Sequence, residues 1–262
     1  MDKNNILYCI NLKRNNNRRN VMKTQFKSLD LNYKFCDAID SQDIKFTENI
    51  LNKSKEVRSG SYNINKNNKI NFNIKSKEYY QKVNNNGHIG CTLSHLFYIK
   101  EAMDLNVDNL IMCEDDISFD FLPKWKKSIN EIIENAPCDW NIIKLHCSNT
   151  RILKNYIKEE KYINIPKPSV LFWSTGFYII KKSGMESLIN RFYEKDTNTF
   201  NIHIDYPVAD YLLHQIDNVY YYTIPLVKNN NSEYNFKSDV TSSDILYKEE
   251  KKGIKYVTNY YS

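Results

Sequence analysis

Residues 114–116 are Glu-Asp-Asp, and they end the apolar run Asn109-Leu110-Ile111-Met112-Cys113. Three adjacent carboxylates repel one another. At a strand end the common offset is a hard divalent cation held by oxygen ligands, and such a cation can hold the diphosphate of a nucleotide. The corner therefore points to a metal-dependent, nucleotide-using transferase. The competing reading is a solvated acidic turn ahead of a helix near Phe121. In an extended segment, residues two apart share a face. Glu114 and Asp116 would then ligate the metal together, while Asp115 faces away, toward a ribose hydroxyl or a basic neighbour.

Four other groupings carry chemistry. Asn11, Arg14 and Arg18 leave the first strand at the end where open α/β sheets bind ligands. Arg14 could grip a phosphate bidentately and Asn11 could read a uracil edge, against the alternative of a basic surface turn. Gly87-His88-Ile89-Gly90-Cys91-Thr92-Leu93-Ser94-His95 opens a helix. There Gly87 and Gly90 permit close backbone approach, Ser94 orients a neighbouring loop, and His95 is either a ligand, a base or a hydrogen-bonded core residue. In Trp173-Ser174-Thr175-Gly176, the glycine beside two hydroxyls lets a ligand reach the backbone, or marks a bulge. Finally, Asp205 and Asp210 are each a candidate base. Asp205 is alternatively a helix N-cap, and His214 is expected on the surface.

These groups need elements to hold them. Ile6 to Ile10, Arg18 to Leu29 and Tyr33 to Cys36 read as strand, helix and strand, the opening of an α/β sheet. Residues 41–86 are rich in Asn, Lys and Ser and read as a polar insertion, with short helices around 47–57 and 76–82. A helix is expected from Gly87 to Met103, a strand over 109–113, a helix at about 121–135 and a strand from Trp140 to Leu145. A polar loop over 147–160 follows, then a strand pair or one long strand broken near Ser174-Thr175-Gly176, between Val170 and Ile180. Helices over Ser183–Phe192 and Ile204–Gln215 and a strand over Val219–Ile224 complete the body, with Pro207 in the first turn of the second helix. The 228–262 tail reads as polar and irregular, with an ordered Tyr-rich end.

Composition narrows the class. Of 262 residues, 41% are hydrophobic, enough for a sizeable core. The net charge of +6 is spread along the chain instead of gathered on one face, so no nucleic-acid partner is expected; a mild positive field suits an anionic sugar nucleotide. The six cysteines form no CxxC pair, so they read as reduced, with no structural zinc. No signal peptide and no transmembrane segment are read, which places the chain in the cytoplasm, that of a virus-infected host included.

Taken in order, the groups resemble glycosyltransferase family 25, which includes lipopolysaccharide and lipooligosaccharide β-galactosyltransferases and collagen galactosyltransferases. Asn11-Leu12-x-Arg14-x-x-x-Arg18 looks like the family's opening, and Ala38-Ile39-Asp40 is similar to its next signature. Gly87-x-x-Gly90-Cys91-x-x-Ser94-His95, Glu114-Asp115-Asp116, Trp140 to Leu145, Gly176-x-Tyr178-Ile179-Ile180-x-x-x-Gly184 and Asp205-x-Pro207-x-x-Asp210 follow in the family's order. The polar 41–86 segment and the loose Asn15-Asn16-Asn17 turn depart from it.

The resemblance implies an α/β, GT-A-like single domain over 1–227, with a mixed, mostly parallel nucleotide-binding sheet flanked by helices, and a tail over 228–262 packed on or extending from it. It implies inverting transfer of galactose or glucose from a UDP-hexose to a hydroxyl of a glycan or protein acceptor. Mn2+ or Mg2+ would sit on Glu114 and Asp116, the donor on Asn11, Arg14, Arg18, Asp115 and Gly176, and the base would be Asp205 or Asp210. The alternatives are a metal-dependent nucleotidyltransferase on the same corner, or an inactive glycan- or protein-binding module.

Overall fold

The computed structural model describes residues 5–29, 31–47, 57–63, 69–75, 86–157, 159–167, 172–205, 208–230 and 244–262. In chain order the elements are β1 (Asn5–Asn11), α1 (Asn16–Phe26), β2 (Tyr33–Asp37), β3 (Lys45–Thr47), β4 (Val57–Asn63), β5 (Lys69–Lys75), α2 (Asn86–Asp104), β6 (Asn109–Glu114) and β7 (Ile117–Ser118). A short 3-10 turn (Leu122–Lys124) precedes α3 (Ile129–Glu134), β8 (Ile142–Lys144), α4 (Thr150–Tyr156), β9 (Tyr162–Asn164), β10 (Phe177–Lys181) and α5 (Lys182–Phe192). Then come β11 (Tyr193–Glu194), β12 (Thr199–His203), α6 (Ala209–Leu213), β13 (Val219–Tyr222), β14 (Lys228–Asn229) and α7 (Asp244–Tyr261).

The main sheet has seven strands in the order β2-β1-β6-β10-β8-β13-β9. It is mixed: β1 runs parallel to β2 and β6, and β13 parallel to β8, while β10 is antiparallel to both β6 and β8. Its central strands are apolar throughout because both faces are covered. Tyr8, Leu110, Met112, Tyr178 and Ile180 enter one core with α2 and α5; Leu7, Cys9, Ile111, Cys113, Phe177 and Ile179 enter the other with α1 and α3. The chain thus has the expected α/β class, a mixed sheet flanked by helices. The order of strands reverses between β1 and β6, since β1 is followed by β2 on one side and meets β6 on the other. That reversal leaves a crevice beyond the carboxyl ends of the two strands.

The polar insertion differs from expectation. It supplies β3, β4 and β5 to a second sheet, ordered β11-β12-β5-β4-β3. The ends of the expected 47–57 helix, Thr47 and Val57, are strand residues; the stretch between them and the expected 76–82 helix lie outside the described residues. Lys69-Ile70-Asn71-Phe72-Asn73-Ile74-Lys75 alternates strictly, and Ile70, Phe72 and Ile74 are buried in the α2 core. Its partner β12 lies beside it in parallel register, Phe72 opposite Phe200, from a segment that showed no strand signal of its own.

Other boundaries also moved. The helix expected over 121–135 is split, because Ser128 and Glu131 form a reciprocal capping box that starts α3 afresh. Asn149 caps α4 inside the expected loop by accepting from the Arg151 N–H. Only Phe177 onward forms a strand in the 170–180 run; 168–171 lie outside the described residues. Helix α6 begins at Ala209 with Val208 at its N-cap, so Asp205 does not cap it, and Pro207 lies outside the described residues. The tail holds a helix: α7 lays Val257 against Leu153 and Phe121, and Tyr261 stacks on Phe121. Among the described residues no helix is long and apolar enough to cross a membrane.

Candidate active site

The crevice beyond β1 and β6 is where the carboxylates gather. Asn11 ends β1 and is buried; its Nδ2 donates to Asp115 Oδ2 at 2.5 Å and to the Asn15 carbonyl at 3.3 Å. Arg18, on the α1 face turned to the sheet, donates to Asp115 Oδ1 at 3.0 Å. Asp115 is therefore turned inward, onto the basic neighbour that alternation allowed. Burial raises its carboxyl above the ordinary value, and Arg18 and Asn11 only partly offset that. The Asn11 Oδ1 is buried with no hydrogen-bond partner.

Glu114 takes the other side of the strand. Its Oε1 lies 3.1 Å from His95 Nε2 and accepts from the Thr175 hydroxyl. Burial pushes this carboxyl up, yet His95, Thr175 and the nearby His146 outweigh it and hold it below the ordinary value. His95 is wholly buried on α2, with Nδ1 2.8 Å from the Tyr178 hydroxyl. The helix reaches the site because Gly90 abuts the loop after β2: a Cβ there would stand 2.6 Å from the Ile39 carbonyl. Ser94 fastens the same loop by accepting from the Ile39 N–H at 2.8 Å.

Ser174, Thr175 and Gly176 form a kink before β10. Ser174 has φ +116°, a conformation L side chains rarely adopt, and Asp210 holds it by accepting from its N–H. The Ser174 hydroxyl accepts from the Gly176 N–H at 2.9 Å and bonds with His146 Nδ1 at 2.6 Å. The Gly176 carbonyl accepts from the Glu114 N–H at 3.0 Å, which locks the kink to the acidic corner. A Cβ on Gly176 would come within 2.9 Å of His146 Nδ1 and 3.1 Å of Ile117 Cγ2.

Asp210, at the start of α6, is close enough to Glu114 to feel its charge. Burial raises its carboxyl, and Lys144, whose Nζ is 3.8 Å away, pulls against that rise. Lys144 is fully buried on β8, donates to the Phe172 carbonyl and lies 3.5 Å from His214 Nε2. His214, expected on the surface, is buried because the short α6 turns that face inward.

The residues picked from the sequence thus fall into two adjoining groups, Asn11 with Arg18 and Asp115, and Glu114 with Gly176 and Asp210. Asp116 follows them on the turn to β7, and its backbone carbonyl accepts from the Asn230 N–H. Arg14 is ion-paired with Asp40. Asp205 sits on an exposed bend ahead of α6. Sequence reasoning missed Lys144, His146 and Asn230. Lys144 and His146 lie in and just after a strand that reads as pure core, and Asn230 in a tail with no periodic signal.

The model of glycosyltransferase family 25 (LPS biosynthesis protein) matches residues 4–225. The chain belongs to glycosyltransferase family 25. Among curated relatives, the human procollagen galactosyltransferase 2 is 23% identical over 186 residues, covering 70% of this chain and 27% of its own length. A glycosyltransferase 25 family member of Aedes aegypti is 24% identical over 189 residues, again 70% of this chain and 27% of its own. The chain spans about a quarter of the length of these curated relatives. A solved glycosyltransferase involved in the glycosylation of the major capsid of PBCV-1 overlaps 96% of this chain and 99% of its own, at 10% identity and a TM-score of 0.35.

Proposed function

We propose that this family 25 chain transfers a hexose, galactose or glucose, from a UDP-sugar to a hydroxyl of a glycan or protein acceptor, with inversion at the sugar carbon and assistance from a divalent cation. The carrying observation is the acidic corner at the β1–β6 crevice, with Asp115 spent on Arg18 and Asn11 and with Asp210 across from Glu114. Acceptors of this chemistry include lipopolysaccharide-type glycans and the collagen that the relatives' names point to.

The donor set fits a hard cation, since Glu114 and Asp116 offer carboxylate oxygens at one strand end. Glu114 and Asp116 would hold Mn2+ or Mg2+, which, when bound, neutralises charge on the leaving diphosphate. Asn11 would accept a nucleotide N–H or O–H on its unpartnered Oδ1, beside the Arg18–Asp115 pair. Gly176, bare of a side chain, lets His146, Ser174 and Ile117 pack against the kink that would carry the donor-facing backbone.

The acceptor hydroxyl attacks the anomeric carbon from the face opposite the diphosphate, so the carbon–oxygen bond to UDP breaks as the new one forms. The hydroxyl proton goes to a carboxylate. Asp210 suits that role better than Asp205, because burial raises its proton affinity and Ser174 fixes one of its oxygens.

UDP release from a panel of UDP-sugars, with Mn2+, tests the reading on wild type, Asp116→Ala and Asp210→Asn. Turnover of one UDP-sugar that Asp116→Ala abolishes supports it. Pyrophosphate as the product would instead indicate nucleotidyl transfer. No turnover and no UDP binding would leave a glycan- or protein-binding module.

A further inference from the structure

We propose that Cys91, His95 and Glu114 form a binding site for a borderline-soft divalent cation, zinc above all, separate in ligand chemistry from the all-oxygen set of Glu114 and Asp116. Cys91 and His95 are four residues apart on α2, so both lie on the helix face turned to the end of β6. One ligand atom from each of the three residues lies within 4.8 Å of the other two. A tetrahedral zinc ion with sulfur, nitrogen and oxygen ligands needs those atoms about 3.5 Å apart. His95 Nε2 and Glu114 Oε1 are already at 3.1 Å, so a modest rotation of side chains closes the site.

The surroundings favour a cation there. Burial first, and then the negative charges of Glu114, Asp210 and Asp116, disfavour a bare Cys91 thiolate. A divalent ion would offset both. His95 has the outer partner that a metal-ligating imidazole needs, the Tyr178 hydroxyl at 2.8 Å from Nδ1. To ligate through Nε2, the imidazole would carry its hydrogen on Nδ1 and donate it to the Tyr178 oxygen. With Glu114 binding as a carboxylate, the Cys91 thiol gives up its proton on binding. The ligands then carry two negative charges against the two positive charges of the ion. Cys91 and Glu114 are half-buried while His95 is enclosed, and three protein ligands would leave one position for water or substrate, as in open zinc sites.

A search for paired cysteines does not find this site, because the third ligand comes from a strand end 19 residues beyond His95. Since Glu114 belongs to both ligand sets, zinc here withdraws it from the acidic corner and inhibits transfer. That consequence rests on the transferase reading; the binding does not.

Cobalt(II) titration of the full chain tests the binding, in a Cys138→Ala background that removes the exposed thiol. One equivalent of cobalt should produce a thiolate-to-metal absorption band in the near ultraviolet, which zinc then bleaches. Cys91→Ser should abolish the band, and Tyr178→Phe should weaken cobalt affinity by about tenfold. Thermal melts report whether each variant is folded. A folded wild type with no band, or a band that survives Cys91→Ser, overturns the proposal. The UDP-release assay reads the consequence, with zinc inhibition at least tenfold weaker in Cys91→Ser. A chain that shows the cobalt band but releases no UDP keeps the zinc site and loses the transferase reading, so the two failures are distinguishable.

Discussion

Arg18 and Asp115, 97 residues apart in sequence, meet at 3.0 Å across the β1–β6 crevice, with side chains only 9% and 8% exposed. This pair decides what the acidic corner can do. It engages one of three adjacent carboxylates, while Glu114 turns to His95 and Thr175 on the other side of the strand.

Removal of one partner strands the other charge. Arg18→Met should cost roughly 3–5 kcal/mol, because Asp115 stays buried without its cation. Arg18→Met with Asp115→Asn should recover much of that loss. Urea unfolding of both single variants and the double variant measures this; a double-variant cost equal to the sum of the two single costs would show that the pair is not coupled.

Lys144→Met should move the acid limb of the pH–rate profile to higher pH. Burial raises the Asp210 carboxyl and Lys144 lowers it, so loss of the ammonium raises it further. The base form of Asp210 then appears only at higher pH. The profile of kcat/KM for UDP release checks this, and an unmoved limb would remove Asp210 from the role of base.

His146 should make the protein acid-sensitive. Burial, with help from Lys144, lowers its pKa from 6.5 to about 4. The unfolded chain therefore takes up a proton near 6.5 while the native protein stays neutral. Stability from this group is fully present above pH 6.5 and falls as pH drops toward 4, by on the order of 3 kcal/mol. His146→Asn should flatten that part of the curve of Tm against pH.

Gly176→Ala should lower both stability and turnover. The new Cβ would lie 2.9 Å from His146 Nδ1 and 3.0 Å from Ser174 Oγ, an overpacking worth about 1–3 kcal/mol. The displaced kink carries Thr175 away from Glu114, and UDP release should fall by roughly 10–100-fold. A variant with lowered Tm but normal turnover would show that the kink serves folding alone.

Much of this was legible in the chain. Continuous apolar runs such as Ile6 to Ile10 and Leu110 to Cys113 announced strands covered on both faces, because no other environment suits apolar side chains on both sides of a strand. The switch to polar residues at Asn11 and Glu114 marked where those strands leave the core. Alternation set Asp115 on the opposite side from Glu114, and the structure puts the first on Arg18 and the second on His95.

Tertiary structure decided the rest. The Ile70, Phe72 and Ile74 alternation became a central strand because β4 pairs with one edge and β12, about 130 positions later, with the other; local propensity in a run of Asn and Lys does not carry such long-range pairing. Lys144 and His214 acquired meaning when β8 and α6 packed together and placed a buried ammonium near Asp210. Asp205 and Asp210 were equal candidates in the sequence, five positions apart. Burial separated them, because desolvation is a property of the packed crevice and not of residue type.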